Sequence, residues 1–439
     1  MKTRFLATLA MLLIGQMVLA QDFDQTKLDS YFDALETNNK FMGSVAVSRN
    51  GEIIYARSVG FLDAENHLKA NESTKYRIGS ISKTFTTVLV FKAIEEKKLS
   101  LYQTIEHFFP SIPNWAKITI RHLLNHRSGI HSFTDDKEYL SWNTQAKTGQ
   151  EMLDIIVKGG SDFEPDSKAA YSNSNFVLLT FIVEKTFKKT YAELLKNYIT
   201  GPLGLRNTAL GKKIETQNNE AKSYRFAGNW IAEPETDISV PLGAGGIVST
   251  PSDLVRFSDA LFGGKLLKPE SVESMKAIKD HYGLGLFVIP FYEVTGYGHT
   301  GGIDGFSSVF SNFSTGNISY AMISNGSNFN NNNISIAVLS AVYNKPYDIP
   351  VFSAYQIDPN DLDHYLGVYA SPQLPLKITI TKANNALIAQ GSGQSPFPLE
   401  ATEKDKFKFD QAGVVMEFNP AEKTMVLKQG GGQFNFTKE

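Results

Sequence analysis

The sequence predicts an α+β protein with an antiparallel sheet flanked by helices, a helical subdomain, and a small all-β domain at the carboxyl end. Three observations predict this class. Alternating apolar residues occur near residue 45 and again after residue 284, helical periodicity fills the region between them, and short alternating segments follow residue 350. We expect the two strand-rich parts of the first 345 residues to share one sheet.

Composition narrows the possible functions. The 439 residues include 43 Lys and Arg and 45 Asp and Glu, so the net charge of -2 argues against a nucleic-acid-coating protein. Apolar residues make up 42% and charged residues 20%, as in folded globular chains. Cysteine is absent, which excludes disulfides, thiolate catalysis and cysteine-ligated metals. Any nucleophile must therefore be oxygen or nitrogen.

The amino-terminal segment has the pattern of a secretory signal. Lys2 and Arg4 precede an apolar run over residues 5–18, and Ala20 ends a small-residue junction. A membrane anchor is the alternative, but the run is shorter than the ~20 residues that a span needs. We expect cleavage after Ala20, no stable membrane span afterwards, and an exported protein, periplasmic or secreted.

The first elements follow directly from the pattern. Leu28, Tyr31, Phe32 and Leu35 recur at helical spacing, so a helix is expected before residue 40. Alternating residues on both sides of Asn50-Gly51 predict a hairpin with a type I′ turn. The next helix is expected to start at Ser80 and to run to about Lys98.

The later elements rest on cap and turn signals. Thr190 and Glu193 form a capping box, and Gly201-Pro202 is expected to end that helix. Thr250-Pro251 predicts another helix start. Further predicted elements are strands at 284–289, 307–313 and 318–323 and a helix at 334–343. A boundary is expected at 344–350, which gives a signal at 1–20, a first domain at 21–345 and a β domain at 346–439. The predicted strands of that β domain, an antiparallel sheet or barrel, are 377–381, 386–389, 406–409, 414–418 and 425–428.

The most specific local pattern is Gly79-Ser80-Ile81-Ser82-Lys83, at the start of a helix. Ser80 and Lys83 are one helical turn apart, so the lysine amine can lie beside the serine hydroxyl. Serine is a weak nucleophile and needs a neighbouring base, which Lys83 supplies if it is partly neutral. A capping serine with a solvated lysine is the alternative for this motif taken alone.

Two more motifs occur in a fixed order. Tyr171-Ser172-Asn173 precedes an apolar helix, and His299-Thr300-Gly301-Gly302 precedes a strand. The three motifs together resemble the penicillin-recognising serine hydrolases, which include class C β-lactamases, D-alanyl-D-alanine carboxypeptidases, D-aminopeptidases and related esterases. Three further stretches extend the resemblance over about residues 25 to 345: 121–130, 201–205 and 245–251.

The resemblance implies a role for each motif residue. Ser80 becomes the nucleophile, Lys83 and Tyr171 share the proton relay, and Asn173 donates to the substrate amide. The backbone N–H groups of Ser80 and Gly302 form the oxyanion hole, and substrate binding falls to Asn173, His299, Thr300 and Gly301. Which of Lys83 and Tyr171 takes the first proton stays open, since a phenol normally keeps its proton to about pH 10.

Two departures from the family pattern matter. The β-lactamases carry lysine where this chain has His299, and a histidine binds a substrate carboxylate only when it is protonated. His-Thr-Gly is more similar to the D-specific peptidases, so efficient β-lactam hydrolysis is not expected. Asn125 and Arg127 stand where small hydroxyl residues are common, which bears on local packing.

Neither a metal nor a cofactor is expected. His122, His126 and His131 are close in sequence, but no His-Glu-x-x-His pattern contains them, so a structural role is favoured.

The sequence thus predicts a serine hydrolase that forms an acyl-enzyme at Ser80. Expected substrates are D-amino-acid peptides, including peptidoglycan fragments, or small amides and esters; no nucleic-acid partner is expected. Three alternatives remain: a β-lactamase, a sensor that binds peptidoglycan or β-lactams without turnover, and a scaffold centred on the carboxyl-terminal domain.

Overall fold

A computed structural model describes residues 23–352, 355, 357–383 and 386–439. The predicted signal segment lies outside the described residues. Helices of the described part are α1 Gln25–Thr37, α2 Ser82–Glu95, α3 Ile120–Leu124, α4 Tyr139–Trp142, α5 Gly149–Gly159, α6 Asn173–Phe187, α7 Tyr191–Leu195, α8 Gly201–Leu203, α9 Leu242–Gly245, α10 Pro251–Phe262, α11 Pro269–Lys276 and α12 Asn331–Val342.

The strands fall into a group before residue 330 and a group after residue 366. The first group is β1 Phe41–Arg49, β2 Glu52–Val59, β3 Phe61–Asp63, β4 Leu68–Lys69, β5 Tyr76–Arg77, β6 Ala209–Leu210, β7 Tyr224–Phe226, β8 Trp230–Ala232, β9 Ile247–Ser249, β10 Phe287–Phe291, β11 Val294–Ile303, β12 Phe306–Phe313 and β13 Ile318–Ser327. The second is β14 Gly367–Ala370, β15 Lys377–Ala383, β16 Ala386–Gly391, β17 Phe397–Glu403, β18 Lys406–Phe409, β19 Val414–Asn419, β20 Thr424–Gln429 and β21 Gly432–Lys438.

The main sheet has six strands in the order β10-β11-β12-β13-β1-β2, and all its neighbouring pairs are antiparallel. The predicted hairpin joins β1 to β2, with positive φ at Asn50 (54°) and Gly51 (83°), as a type I′ turn requires. β1 also pairs with β13, with Val45 opposite Met322. The two strand-rich parts of the first 345 residues therefore share one sheet, as expected.

Each face of the sheet has its own apolar core. On one face, α1 and α12 pack against side chains such as Val45 and Tyr320. On the other, α2 and α10 join the helical region around α6 in a larger core that includes Phe85 and Phe257, whose rings stack 3.8 Å apart. The motif residues at 80–83 and 171–173 lie where the helical region meets the sheet.

The carboxyl-terminal strands form a closed barrel in chain order from β14 to β21, sealed where Tyr369 pairs with Lys438. Its interior is filled by apolar side chains such as Phe407, Met416 and Phe436. All five predicted strands are present, and three were missed. Pro398 lies in one of them, β17, and a proline lowers the strand signal of its segment.

The prediction that Gly201-Pro202 ends a helix is wrong. The capping box at Thr190 starts α7 as predicted, but the helical path continues through a π-helical segment at Lys196–Thr200 into α8. It ends at Gly204, which has φ 64°. Proline is compatible with the first turn of a helix such as α8, so the stop signal belongs to the left-handed Gly204, two residues after Pro202.

Two other boundaries moved by a few residues. Ser80 lies in a 3₁₀ turn, Gly79–Ile81, and the α-helix begins only at Ser82. The strand expected at 284–289 starts at Phe287, because Gly285 adopts a positive φ of 65°. Among the described residues, no helix is long and apolar enough to cross a membrane.

Candidate active site

Ser80 lines a cleft and lies in the turn that leads into α2. Gly79 makes this turn with φ 49°, and a Cβ there would lie 2.8 Å from the backbone N of Gly302. Only glycine therefore allows the Ser80 turn and strand β11 to approach so closely. The amino-terminal end of α2 adds a positive field at the serine.

Lys83 is fully buried beside this serine. Its Nζ lies 3.0 Å from Ser80 Oγ, 2.7 Å from Asn173 Oδ1 and 2.7 Å from the Ala244 carbonyl oxygen. Burial lowers the pKa of Lys83 well below its usual value. In its neutral form the amine can donate its two N–H groups to the amide and carbonyl oxygens and accept the proton of the Ser80 hydroxyl.

Tyr171 borders the same space. Its ring stacks on His126 with centroids 4.3 Å apart, and Lys83 Nζ lies 4.9 Å from its centroid. Burial raises the pKa of Tyr171 above its usual value, and contact with the Ser80 hydroxyl lowers it by less. Tyr171 therefore keeps its phenolic proton at neutral pH.

Asn173 is held at the first turn of α6 by two residues that the sequence did not single out. Its backbone N–H donates to Ser132 Oγ at 3.1 Å, and its Nδ2 donates to Thr134 Oγ1 at 2.9 Å. The side-chain oxygen is then oriented toward Lys83. No sequence signal distinguished Ser132 or Thr134, because they meet Asn173 only through the tertiary fold.

His126 supports the segment that carries Tyr171. The backbone N–H of Ser172 donates to its Nδ1 at 3.1 Å, and burial lowers the pKa of His126. Arg127, one of the unusual residues, is buried and pairs with Asp166 and Asp280. His131 pairs with Asp162 and Asp136. Within the described chain, no three His, Asp or Glu side chains converge as a metal site.

Strand β11 closes the cleft opposite Ser80. β10 pairs only with residues 294–298, so the next residues of β11 leave one edge free beside the Ser80 turn. A Cβ on Gly301 would lie 2.1 Å from the Ile78 carbonyl oxygen, whereas one on Gly302 would meet nothing nearer than 3.9 Å. This close approach brings the Gly302 backbone next to Ser80.

His299 belongs to this strand, and the residue is buried, with 1% of its surface exposed. Its Nδ1 is 2.5 Å from the Thr300 carbonyl oxygen, and its ring packs on Phe287. Burial, with a smaller effect from Lys83, lowers the pKa of His299 to about 3. His299 thus presents a neutral imidazole at neutral pH, in contrast to the protonated anchor that the sequence suggested.

The cleft is a cavity of about 470 Å³. Ser80, Asn173, Ala244 and Gly302 line its floor, and Glu233 and Asp304 are the only formally charged residues among its described lining. The Asp304 carboxylate accepts from Arg77 at 3.1 Å and from the Thr236 hydroxyl at 2.6 Å. Arg77 is itself 1% exposed, so it presents no free cation to the cavity.

Comparisons with known proteins bear on the family and the fold of this chain. The sequence profile of the Beta-lactamase family matches residues 28–343. A penicillin-binding protein of Bacillus subtilis (strain 168) is 25% identical over 447 residues, covering 92% of this chain and 97% of that protein. A teichoic acid D-alanine hydrolase of Staphylococcus aureus (strain MRSA252) is 26% identical over 278 residues, covering 62% and 67%.

A solved structure shows the same fold. The D-amino acid amidase from Ochrobactrum anthropi SV3, complexed with L-phenylalanine amide, superposes with a TM-score of 0.63 at 25% identity, covering 72% of this chain and 98% of that one. The resemblance inferred from the motifs is therefore confirmed, and so is the fold class. The chain belongs to the Beta-lactamase family and is a serine hydrolase with an eight-stranded barrel after its catalytic part.

Proposed function

We propose that this hydrolase cleaves amides, esters or short peptides of D-amino acids through an acyl-enzyme on Ser80. The contact between Ser80 Oγ and the buried, partly neutral Lys83 amine, 3.0 Å apart, carries the proposal. The similarity to a D-amino acid amidase and to a teichoic acid D-alanine hydrolase supports the D-amino-acid class.

Lys83 is the better candidate for the first base. Its Nζ lies 3.0 Å from Ser80 Oγ and burial lowers its pKa, whereas burial raises the pKa of Tyr171 and makes the phenolic proton harder to remove. In the proposed acylation, Ser80 Oγ bonds to the carbonyl carbon as its proton passes to Lys83 Nζ. Tyr171 then donates its proton to the leaving nitrogen or oxygen and is reprotonated from Lys83. Water cleaves the resulting ester by the reverse route and restores Ser80.

The negative oxygen formed in each step needs two donors. We assign this role to the backbone N–H groups of Ser80 and Gly302, which the close approach of β11 to the Ser80 turn brings together. Thr300 and Gly301 extend the free edge on which a substrate backbone can pair, and Asn173 has a second Nδ2 hydrogen for the substrate carbonyl. His299, buried against Phe287, then contributes to the shape of this strand.

Gly301→Ala is expected to lower kcat/KM for D-alaninamide about 100-fold, the usual cost of losing one oxyanion donor. The new Cβ would overlap the Ile78 carbonyl oxygen and push β11 away from Ser80. Steady-state kinetics together with thermal unfolding would separate this effect from misfolding. Gly149→Ala is the matched control, since Gly149 starts α5 outside the cavity and its Cβ would meet nothing nearer than 3.5 Å, so this variant should remain near wild type. Equal losses in the two variants would contradict the assignment.

The cavity also constrains the charge of the substrate. A free carboxylate next to the bond cleaved would find no available cation: Lys83 is committed to three partners, Arg77 is buried, and His299 is neutral. Glu233 and Asp304 would repel it. D-Ala-D-Ala carboxypeptidase and β-lactamase activities are therefore disfavoured relative to hydrolysis of amides and esters.

A substrate panel tests the proposed function. We expect Ser80-dependent release of D-alanine from D-alaninamide but little from L-alaninamide. D-Ala-D-Ala-amide should exceed free D-Ala-D-Ala in kcat/KM by about tenfold or more, as expected for one unfavourable charge. Faster cleavage of D-Ala-D-Ala or of a cephalosporin than of any amide would overturn the proposal.

We further propose that the protein acts outside the cytosol, after cleavage behind Ala20. We also propose that residues 21–345 and 346–439 form its two domains. The Lys2 and Arg4 pattern supports export. The intact mass of the purified protein reports where its chain begins, and a mass that includes residues 1–20 would contradict cleavage.

A further inference from the structure

A second cavity, of about 600 Å³, lies between the catalytic part and the barrel. It shares Glu233 and Asp304 in its lining with the catalytic cavity. These two residues therefore lie between the cavities, and Asp304 is in the β11–β12 turn, two residues after the proposed oxyanion donor Gly302. A substrate longer than the catalytic cavity can extend past this turn.

The barrel provides one wall of this second cavity. Phe397 of β17 and Phe409 of β18 stack there with centroids 4.7 Å apart and rings inclined by 22°. Ile388, Pro396 and Pro398 extend the apolar surface. Both phenylalanines are only partly buried, so their faces remain available to a ligand.

The catalytic part provides the opposite wall. Phe226 of the β7–β8 hairpin lines the cavity, and so do Asn330, Asn331 and Asn332 at the start of α12. Apolar surface on one side and amide groups on the other suit a peptide, because its side chains can pack while its backbone forms hydrogen bonds.

Contacts across the boundary hold the barrel beside the catalytic part. Lys40, 3% exposed, forms an ion pair with Glu400 of β17. Gln411, next to β18, donates a side-chain hydrogen bond to the Ser327 carbonyl oxygen at the end of β13. Glu400 is on β17 with Phe397, and Gln411 follows two residues after Phe409, so these contacts fix the position of that wall.

The charges of the second cavity argue against a polyanionic ligand. Its only charged lining residues in the described chain are Arg225, Glu233 and Asp304. Arg225 pairs with Glu233 at 3.1 Å, and Asp304 pairs with Arg77. The described lining thus carries one positive and two negative side chains, which does not favour a phosphate-bearing polymer, whereas an uncharged peptide meets no repulsion.

We propose that the second cavity binds the part of an extended peptide substrate that is remote from the cleaved bond, with the barrel as one wall of the binding site. This inference rests on the proposed D-amino-acid hydrolase function and extends it to longer, apolar peptides. The barrel then determines the preference for substrate length, while the catalytic cavity determines the chemistry.

The test compares a dipeptide amide, D-Ala-D-Ala-NH₂, with a synthetic hexapeptide amide that ends in the same two residues and carries apolar side chains before them. Phe409→Ala and Phe397→Ala should each raise KM for the hexapeptide about tenfold, as expected for the loss of one aromatic contact. KM for the dipeptide and kcat for both substrates should stay unchanged.

Phe434→Ala is the matched control, because Phe434 is also a partly buried barrel phenylalanine but does not line this cavity. It should leave both KM values unchanged. The inference is overturned if the Phe409 variant raises both KM values equally or neither. It is also overturned if the increase appears only with a soluble glycan-linked stem peptide, which would identify a sugar as the occupant. If the wild type cleaves neither peptide nor D-alaninamide in a Ser80-dependent way, the proposed function itself has failed.

Discussion

Ser80→Ala is expected to lower kcat/KM for D-alaninamide by about 10,000-fold or more, the scale seen when a covalent nucleophile is removed. The alanine has no oxygen to bond to the carbonyl carbon, while the cavity and the backbone donors remain in place. A fluorophosphonate probe followed by intact-mass measurement should show one adduct on the wild type and none on this variant.

Ser82→Ala is the matched control for that experiment. Ser82 is fully buried two residues further along, and its Oγ accepts from the Ile247 N–H at 3.1 Å, away from Lys83. This variant should still form the adduct. An adduct that survives in Ser80→Ala would contradict the assigned nucleophile. A penicillin adduct on the wild type that persists for hours, with no turnover of any amide, would favour the sensor alternative.

Lys83→Arg is expected to lower kcat/KM by about 1,000-fold, within the range for the loss of a general base. Arginine stays protonated and positively charged, so it has no lone pair to accept the Ser80 proton. Lys83→Met, which removes the amine at similar length, should show a comparable loss. Activity in Lys83→Arg within a few fold of wild type would show that charge, rather than proton transfer, is what this position supplies.

The pH dependence of kcat/KM follows from Lys83. Burial lowers the pKa of Lys83, and its neutral form is the active one, so kcat/KM should rise with pH through that pKa and then level off. No fall is expected in the neutral range, because the raised pKa of Tyr171 keeps its proton in place. Tyr171→Phe should reduce the rate but retain the rising limb. A rising limb that disappears in Tyr171→Phe would assign the base to Tyr171 instead.

The candidate site was predictable where its chemistry is local in sequence. Ser80 and Lys83 lie one turn apart, and the order of the Tyr171 and His299 motifs indicated the other predicted site residues. The neutral state of His299 was not predictable, because it comes from burial under Phe287 and from the nearby amine. The Ala244 carbonyl oxygen and Thr134 were missed for a related reason: each reaches the site through tertiary packing and carries no motif of its own.

The fold, like the site, was predictable where its signals are local in sequence and not where it depends on tertiary pairing. Hairpin, capping box and the class of the main sheet followed from turn residues and periodicity, which act locally. Closure of the barrel depends on pairing between its first and last strands, and short segments such as β14 give too little periodicity to be recognised. The helical path continues past Pro202, which lies in the first turn of α8. A proline therefore does not by itself mark the end of a helix, because its effect depends on the conformation of the residues before it.

The pairing of β1 with β13 has a consequence for how the protein is made. β1 is complete by Arg49, but its inner neighbour in the sheet is not synthesised until Ser327. Closing so long a loop is slow, and until it closes both β1 and β12 present unpaired edges. A ribosome that stalls before β13 would therefore release a chain that cannot complete its sheet and can aggregate through these edges. Completion of the main sheet therefore depends on β13, a strand that is synthesised late.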